Sequence, residues 1–218
     1  MSSQIFVSRR KILNRSLAIG GLLIAAPLCS VLAGITPSQG KGPFYPVKKP
    51  LDQDADLTVI AGSSKQAEGR VVYLAGRVLN SNGEPVEGAR VEVWQANAYG
   101  RYNHPYDSSS AKLDPNFEGF SAQLTDSRGR YRLKTIKPGA YQVSGNWTRP
   151  PHIHFSVRGR SRQLITQMYF ENEPLNEFDR LLHSASDPQS LIAKYQTPTA
   201  DMEADALSAS WDIMLLES

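Results

Sequence analysis

His152 and His154 stand two residues apart in a chain that holds only four histidines. On a β-strand, residues i and i+2 point to the same face, so the two imidazoles project together. Two neutral imidazoles side by side are a ready half of a metal site. Taken alone, such a pair is more often two hydrogen-bonding strand histidines. Its surroundings change that reading. Arg149-Pro150-Pro151 makes a rigid, extended entry to the pair, because proline fixes its own φ and restricts the residue before it. Ile153 and Phe155 alternate with the histidines, which puts core on the opposite face.

Two histidines do not name a metal. No Asp or Glu stands beside them, and the one cysteine, Cys29, lies far upstream. The hard oxygen donors left to consider are tyrosines in rigid settings: Tyr102 after Gly100-Arg101, and Tyr141 after Lys137-Pro138-Gly139-Ala140. A free phenol titrates near ~10, but a trivalent cation nearby favours the phenolate. Phenolates suit iron(III), so a set of two tyrosines and two histidines predicts a ferric ion. Either tyrosine by itself reads better as a packed core or turn residue.

The elements that must position these groups are mostly strands. Val71 to Leu79 is strand-like, and Ala89 to Trp94 alternates at period two; with Asn82-Gly83 and Pro85 between them, they read as a β-hairpin with a longer connection. Phe120–Leu124, Tyr131–Thr135, His152–Val157 and Leu164–Phe170 add four short strands, with a tight turn at Asp126-Ser127-Arg128-Gly129. Helices are expected at Asn176–Ser184 and Pro188–Lys194, the second capped by Asp187, and a last strand at Leu207–Leu216. The pattern predicts an all-β fold, a β-sandwich core with short helices near the C-terminus. Residues 34–69, rich in Pro, Gly, Lys and Asp, read as an extended arm across the surface of a catalytic domain spanning 70–218.

Residues 1–33 read as an export leader. Arg9-Arg10-Lys11 precedes 25 uncharged residues from Ser16 to Gly40, and Val31-Leu32-Ala33 offers a small-residue cleavage site. This resembles a twin-arginine signal, which implies a periplasmic or extracellular destination. Gly20, Gly21 and Pro27 weaken a permanent membrane helix, so no stable span is expected after cleavage. Without the leader the chain carries 20 basic against 21 acidic residues. That balance gives no basic footprint for nucleic acid. It also leaves no thiol for disulfides, thiolate metal sites or cysteine nucleophiles.

The runs Val91-Glu92-Val93-Trp94-Gln95-Ala96-Asn97, Gly100-Arg101-Tyr102, Leu113-Asp114-Pro115-Asn116-Phe117, Thr135-Ile136-Lys137-Pro138-Gly139, Arg149 to Phe155 and Leu164 to Phe170 resemble the intradiol ring-cleavage dioxygenases. Their protocatechuate 3,4-dioxygenase branch is the most similar, and the likeness runs from about Gly42 to the C-terminus. The resemblance implies one Fe(3+) held by Tyr102, Tyr141, His152 and His154. It implies axial Tyr141 and His154, with Tyr141 leaving to take a substrate proton. It further implies Arg149 as the active-site cation that stabilises the electron-rich ring, Gln167 as its neighbour, and Trp94 as an aromatic near the substrate. The reaction implied opens a catechol-type ring with O2 between its hydroxyl-bearing carbons, giving a muconate-type diacid, in a protein that can form a homo-oligomer. The segment from Tyr141 to His152 is shorter than in the protocatechuate enzymes, and Thr148 stands where they carry tryptophan. The ring substituent is therefore open. Two other classes share part of the pattern. Gly76 to Val91 also resembles transthyretin-like β-sandwich modules without metal, and an iron-binding protein without turnover would use the same ligands.

Overall fold

The computed structural model describes residues 34–217; the expected leader segment, with Arg9, Arg10 and Cys29, lies outside them. Eleven strands follow in chain order: β1 Val71–Leu79, β2 Arg90–Trp94, β3 Phe120–Leu124, β4 Arg130–Ile136, β5 Tyr141–Ser144, β6 Trp147–Arg149, β7 His152–Arg158, β8 Gln163–Phe170, β9 Ile192–Gln196, β10 Leu207–Ser210 and β11 Ile213–Met214. Among the described residues, helix is confined to α1, Arg180–His183, and the 3-10 turns Pro174–Phe178 and Pro188–Leu191.

The main sheet runs β3-β2-β7-β8-β9-β10-β1-β11, with β4 also paired to β1, and it curls into a nearly closed barrel. Its two halves face each other across one core. Phe155 on β7, fully buried, meets Tyr131 of β4 at 5.9 Å and Trp211 at 5.0 Å between ring centroids. Burying one such ring contributes about 1.5–3 kcal/mol. Period-two alternation therefore has a direct outcome in β7: Ile153, Phe155 and Val157 fill the core, while His152 and His154, also buried, face the other way. No helix among the described residues is long and apolar enough to cross a membrane.

Several expectations need correcting. The predicted β1–β2 hairpin does not form: β1 pairs with β4, β10 and β11, and β2 with β3 and β7. The long connection carries the chain from one half of the sheet to the other. The expected helix at Asn176–Ser184 is a 3-10 turn and α1 separated by Asp179, which caps α1 by accepting from Leu182 N–H at 2.7 Å. The expected helix at Pro188–Lys194 starts as read, with Asp187 accepting from Ser190 N–H, but it ends at Leu191. From Ile192 the chain pairs with β8 and β10 as a strand, and those ladders override the local helix signal. The last strand is broken at Trp211-Asp212 into β10 and β11. Residues 34–69 contain no regular strand, yet they do not stay on the surface: Leu57 and Thr58 are fully buried.

Candidate metal centre

The register of β2, β7 and β8 builds one wall of the site. Trp94, His154 and Gln167 are paired in a row across the three strands, and the next row pairs His152 with Tyr169. Cross-strand partners lie close enough to touch. Trp94 stacks on His154 with centroids 4.9 Å apart and planes 12° apart. The opposite wall is the short hairpin β5–β6, which pairs Tyr141 with Arg149.

Tyr102 comes from the loop after β2. Asn97, buried, organises that loop: its Oδ1 accepts from Tyr99 N–H at 2.9 Å and Arg101 N–H at 3.1 Å. Asp107 then accepts from Tyr102 N–H at 2.7 Å. Gly100 (φ +78°) and Gly139 let this loop approach the one bearing Tyr141. A Cβ on Gly100 would lie 2.4 Å from Ala140 O, and one on Gly139 2.5 Å from Ala98 O. Only glycine permits that contact.

The four expected ligands converge. Ring centroids are 5.0 Å apart for His152–His154, 5.6 Å for Tyr141–His152, 5.7 Å for Tyr102–Tyr141 and 6.2 Å for Tyr102–His154. His152 Nδ1 lies 2.7 Å from Pro150 O. A carbonyl can only accept, so Nδ1 carries the proton and Nε2 keeps its lone pair. That nitrogen lies 3.5 Å from the Tyr141 hydroxyl. The Tyr102 hydroxyl and His154 Nδ1 are buried without a hydrogen-bond partner. Leaving such groups unpaired is costly, and a cation at the centre of the four rings is what a phenolate oxygen and imidazole lone pairs would satisfy. The donor set fits a hard trivalent metal.

Burial holds the donor groups in their neutral forms. Burial, then the charge on Arg149, pushes His154 down to about 3. His152 is held well below the usual imidazole range by burial, then by Arg149 and His154. Both histidines are therefore neutral and ready to donate. Burial raises the Tyr102 phenol far above its ordinary range, with Tyr141 adding to the effect. Burial raises Tyr141 as well, partly offset by Arg149. The phenols stay protonated until a metal displaces their protons.

Arg149 is fixed from three directions. Its Nε donates to Asp179 at 2.7 Å, and its Nη2 donates to Gln167 Oε1 and Tyr169 Oη, both at 2.8 Å. Gln167 is tied in turn to Gly40 O at 3.0 Å. Asp179, Tyr169 and Phe44, which stacks on Tyr102 at 4.6 Å, are absent from the sequence reading. Tyr169 alone had a signal, since it lies two residues from Gln167 on the same face of β8. The site opens into a cavity of about 760 Å³ whose lining includes Tyr141, Arg149, His154 and Gln167.

A family model described as Dioxygenase matches residues 41–217 of this chain. The chain belongs to this dioxygenase family. The enzyme is 42% identical over 179 residues to the protocatechuate 3,4-dioxygenase beta chain of Burkholderia cepacia, covering 79% of this chain and 76% of that one. It is 34% identical to catechol 1,2-dioxygenase 1 of Acinetobacter lwoffii, covering 70% of this chain and 52% of that longer relative. Among solved structures, the dioxygenase domain of a dioxygenase–carbohydrate-binding fusion from Streptomyces sp. SirexAA-E superposes with a TM-score of 0.64 at 26% identity, over 85% of this chain and all of that one. Catechol 1,2-dioxygenase from Pseudomonas arvilla C-1 gives 0.63 at 27% identity, over 83% and 62%. The dioxygenase is an intradiol ring-cleavage enzyme that opens catechol-type rings. A metal-free sandwich module does not account for these matches.

Proposed function

We propose that the dioxygenase holds one ferric ion through Tyr102, Tyr141, His152 and His154. The observation that carries this reading is the convergence of four donor rings, with the buried Tyr102 hydroxyl among them lacking a hydrogen-bond partner. The ion would supply Lewis acidity and an electron acceptor for the bound diphenol. The chain's own residues orient and balance that chemistry. His152 is locked in one tautomer by Pro150 O, and Trp94 holds the plane of His154. Such supporting contacts set ligand direction. Tyr141, less buried than Tyr102, borders the cavity and is placed to take a proton from an incoming hydroxyl. Arg149 is a fixed cation at the same wall, suited to stabilise negative charge that develops on the ring.

The test is direct. Purified protein should carry close to one iron per chain, show the red-brown colour of phenolate-to-iron charge transfer, and consume O2 when a catechol is added. Colourless protein with stoichiometric zinc overturns the ferric reading. Coloured protein that takes up no O2 on any catechol would make it an iron-binding protein.

The enzyme is further proposed to be exported, on the strength of Arg9-Arg10 ahead of an uncharged stretch ending in a small-residue site. Subunit assembly is proposed as well; relatives named as alpha and beta chains support it.

A further inference from the structure

The cavity is far larger than the chemistry requires. At about 760 Å³ it falls within the range of roughly 300–1,000 Å³ that takes a whole drug-sized ligand. A lone dihydroxybenzene ring set against Tyr141 and His154 leaves most of it empty.

The lining beyond that ring carries few charges and is partly apolar. Among the described residues, Arg149 is the one cationic side chain lining the cavity and Asp107 the one carboxylate. Two of the three Arg149 guanidinium nitrogens are already used, on Asp179, Gln167 and Tyr169. The Arg149 charge is balanced by fully buried Asp179. Both Asp107 oxygens accept backbone N–H groups, from Tyr102 and Ser109. Nη1 is the one Arg149 nitrogen left free, so an anionic ring substituent cannot be held through the two parallel bonds that arginine makes to a carboxylate. At the mouth, Tyr106 and Val143 are 74% and 48% exposed, and Trp147 lines the same space. Apolar groups that are solvent-exposed around a cleft continuous with a reaction centre are the surface an extended substituent would cover.

We infer that the dioxygenase acts on uncharged catechols bearing an extended apolar or aromatic substituent and discriminates against a carboxylate on the ring. The inference rests on the ring-cleavage reading of the same site. It departs from the acid named for the Burkholderia cepacia relative. The substituent lies along Tyr106, Val143 and Trp147, and the two hydroxyl groups face Tyr141 and His154.

The test uses the iron-loaded protein with 4-phenylcatechol and protocatechuate. Dissociation constants come from anaerobic colour titration, and kcat/KM comes from O2 uptake. The expected result is at least a tenfold preference for 4-phenylcatechol in both. A preference for protocatechuate, or a difference under tenfold, overturns the inference while leaving ring cleavage intact. The expected order of binding with no O2 uptake on either compound sustains the binding preference alone and removes the ring-cleavage reading on which the rest of the inference stands. A cation supplied at the mouth by Val143→Arg or Ser108→Arg should move the kcat/KM ratio at least tenfold toward protocatechuate in one of the two. A ratio unmoved in both variants also overturns it.

Discussion

Arg149 and Asp179 meet at 2.7 Å between Nε and Oδ2, with side chains 4% and 0% exposed. The pair joins the strand that leads into the two histidines to the cap of α1. It holds the one charge that faces the cavity from this wall. Removing one partner leaves the other charge buried and unpaired, which costs about 3–5 kcal/mol. Asp179→Asn should lower stability by that order in urea unfolding. A loss under about 1 kcal/mol would show that Arg149 finds solvent or another partner.

Tyr102→Phe should separate stability from function. Its hydroxyl is buried with no hydrogen-bond partner in the protein, so its removal costs the fold no hydrogen bond between protein groups. The metal-free variant should match or exceed the parent in thermal unfolding. The same variant should lose iron or shift the charge-transfer band. An unchanged band at full iron occupancy would remove Tyr102 from the ligand set.

Gly100→Ala tests the contact between the two tyrosine-bearing loops. A non-glycine residue at φ +78° costs about 1–3 kcal/mol in backbone strain, and the Cβ would also strike Ala140 O beside Tyr141. The expected outcome is a destabilised protein with reduced iron content even when folded, read by calorimetry and metal analysis. Full iron content in the folded variant would mean the loops do not need this approach.

Metal binding should release protons. Burial holds both phenols protonated at neutral pH and both imidazoles neutral, so the tyrosines lose protons on ligation and the histidines do not. Titrating ferric ion as a chelate in two buffers of different ionisation enthalpy, with the chelator's own protons subtracted, should give about one proton per tyrosine ligand. Tyr141→Phe should remove one of them. No proton release would exclude phenolate ligation.

Arg9→Lys with Arg10→Lys should block export, since the twin-arginine reading depends on that pair. The parent protein should be recovered outside the cytoplasm with a mature mass that starts at Gly34. Undiminished export of the double variant would assign the leader to another route.

Much of this molecule was legible in local pattern. Period-two alternation marked β1 to β4, β7 and β8, because each has one face or both in the core. It also placed His152 and His154 together, since the i, i+2 relation needs nothing beyond a strand. Partners were not legible. β1 and β2 look like a hairpin because they are close in sequence, but pairing is decided by which ladder buries more, and each strand found its partners elsewhere. β5 and β6 escaped notice because strands of four and three residues, largely polar and exposed, carry no periodic signal.

The same division holds at the site. The sequence by itself determined which side chains were available, and through the glycines and prolines where the chain could be rigid. Tertiary structure decided what surrounds them. Asp179 lies 30 residues from Arg149, and Phe44 58 residues from Tyr102. Nothing in a local pattern encodes such contacts, because they follow from how the halves of the sheet close and where residues 34–69 pack. Spacing alone brought out the His152/His154 pair, while Tyr102 and Tyr141 rested on the family resemblance. The balanced charge on Arg149 and the wide, sparsely charged cavity beside it exist only once the chain has folded.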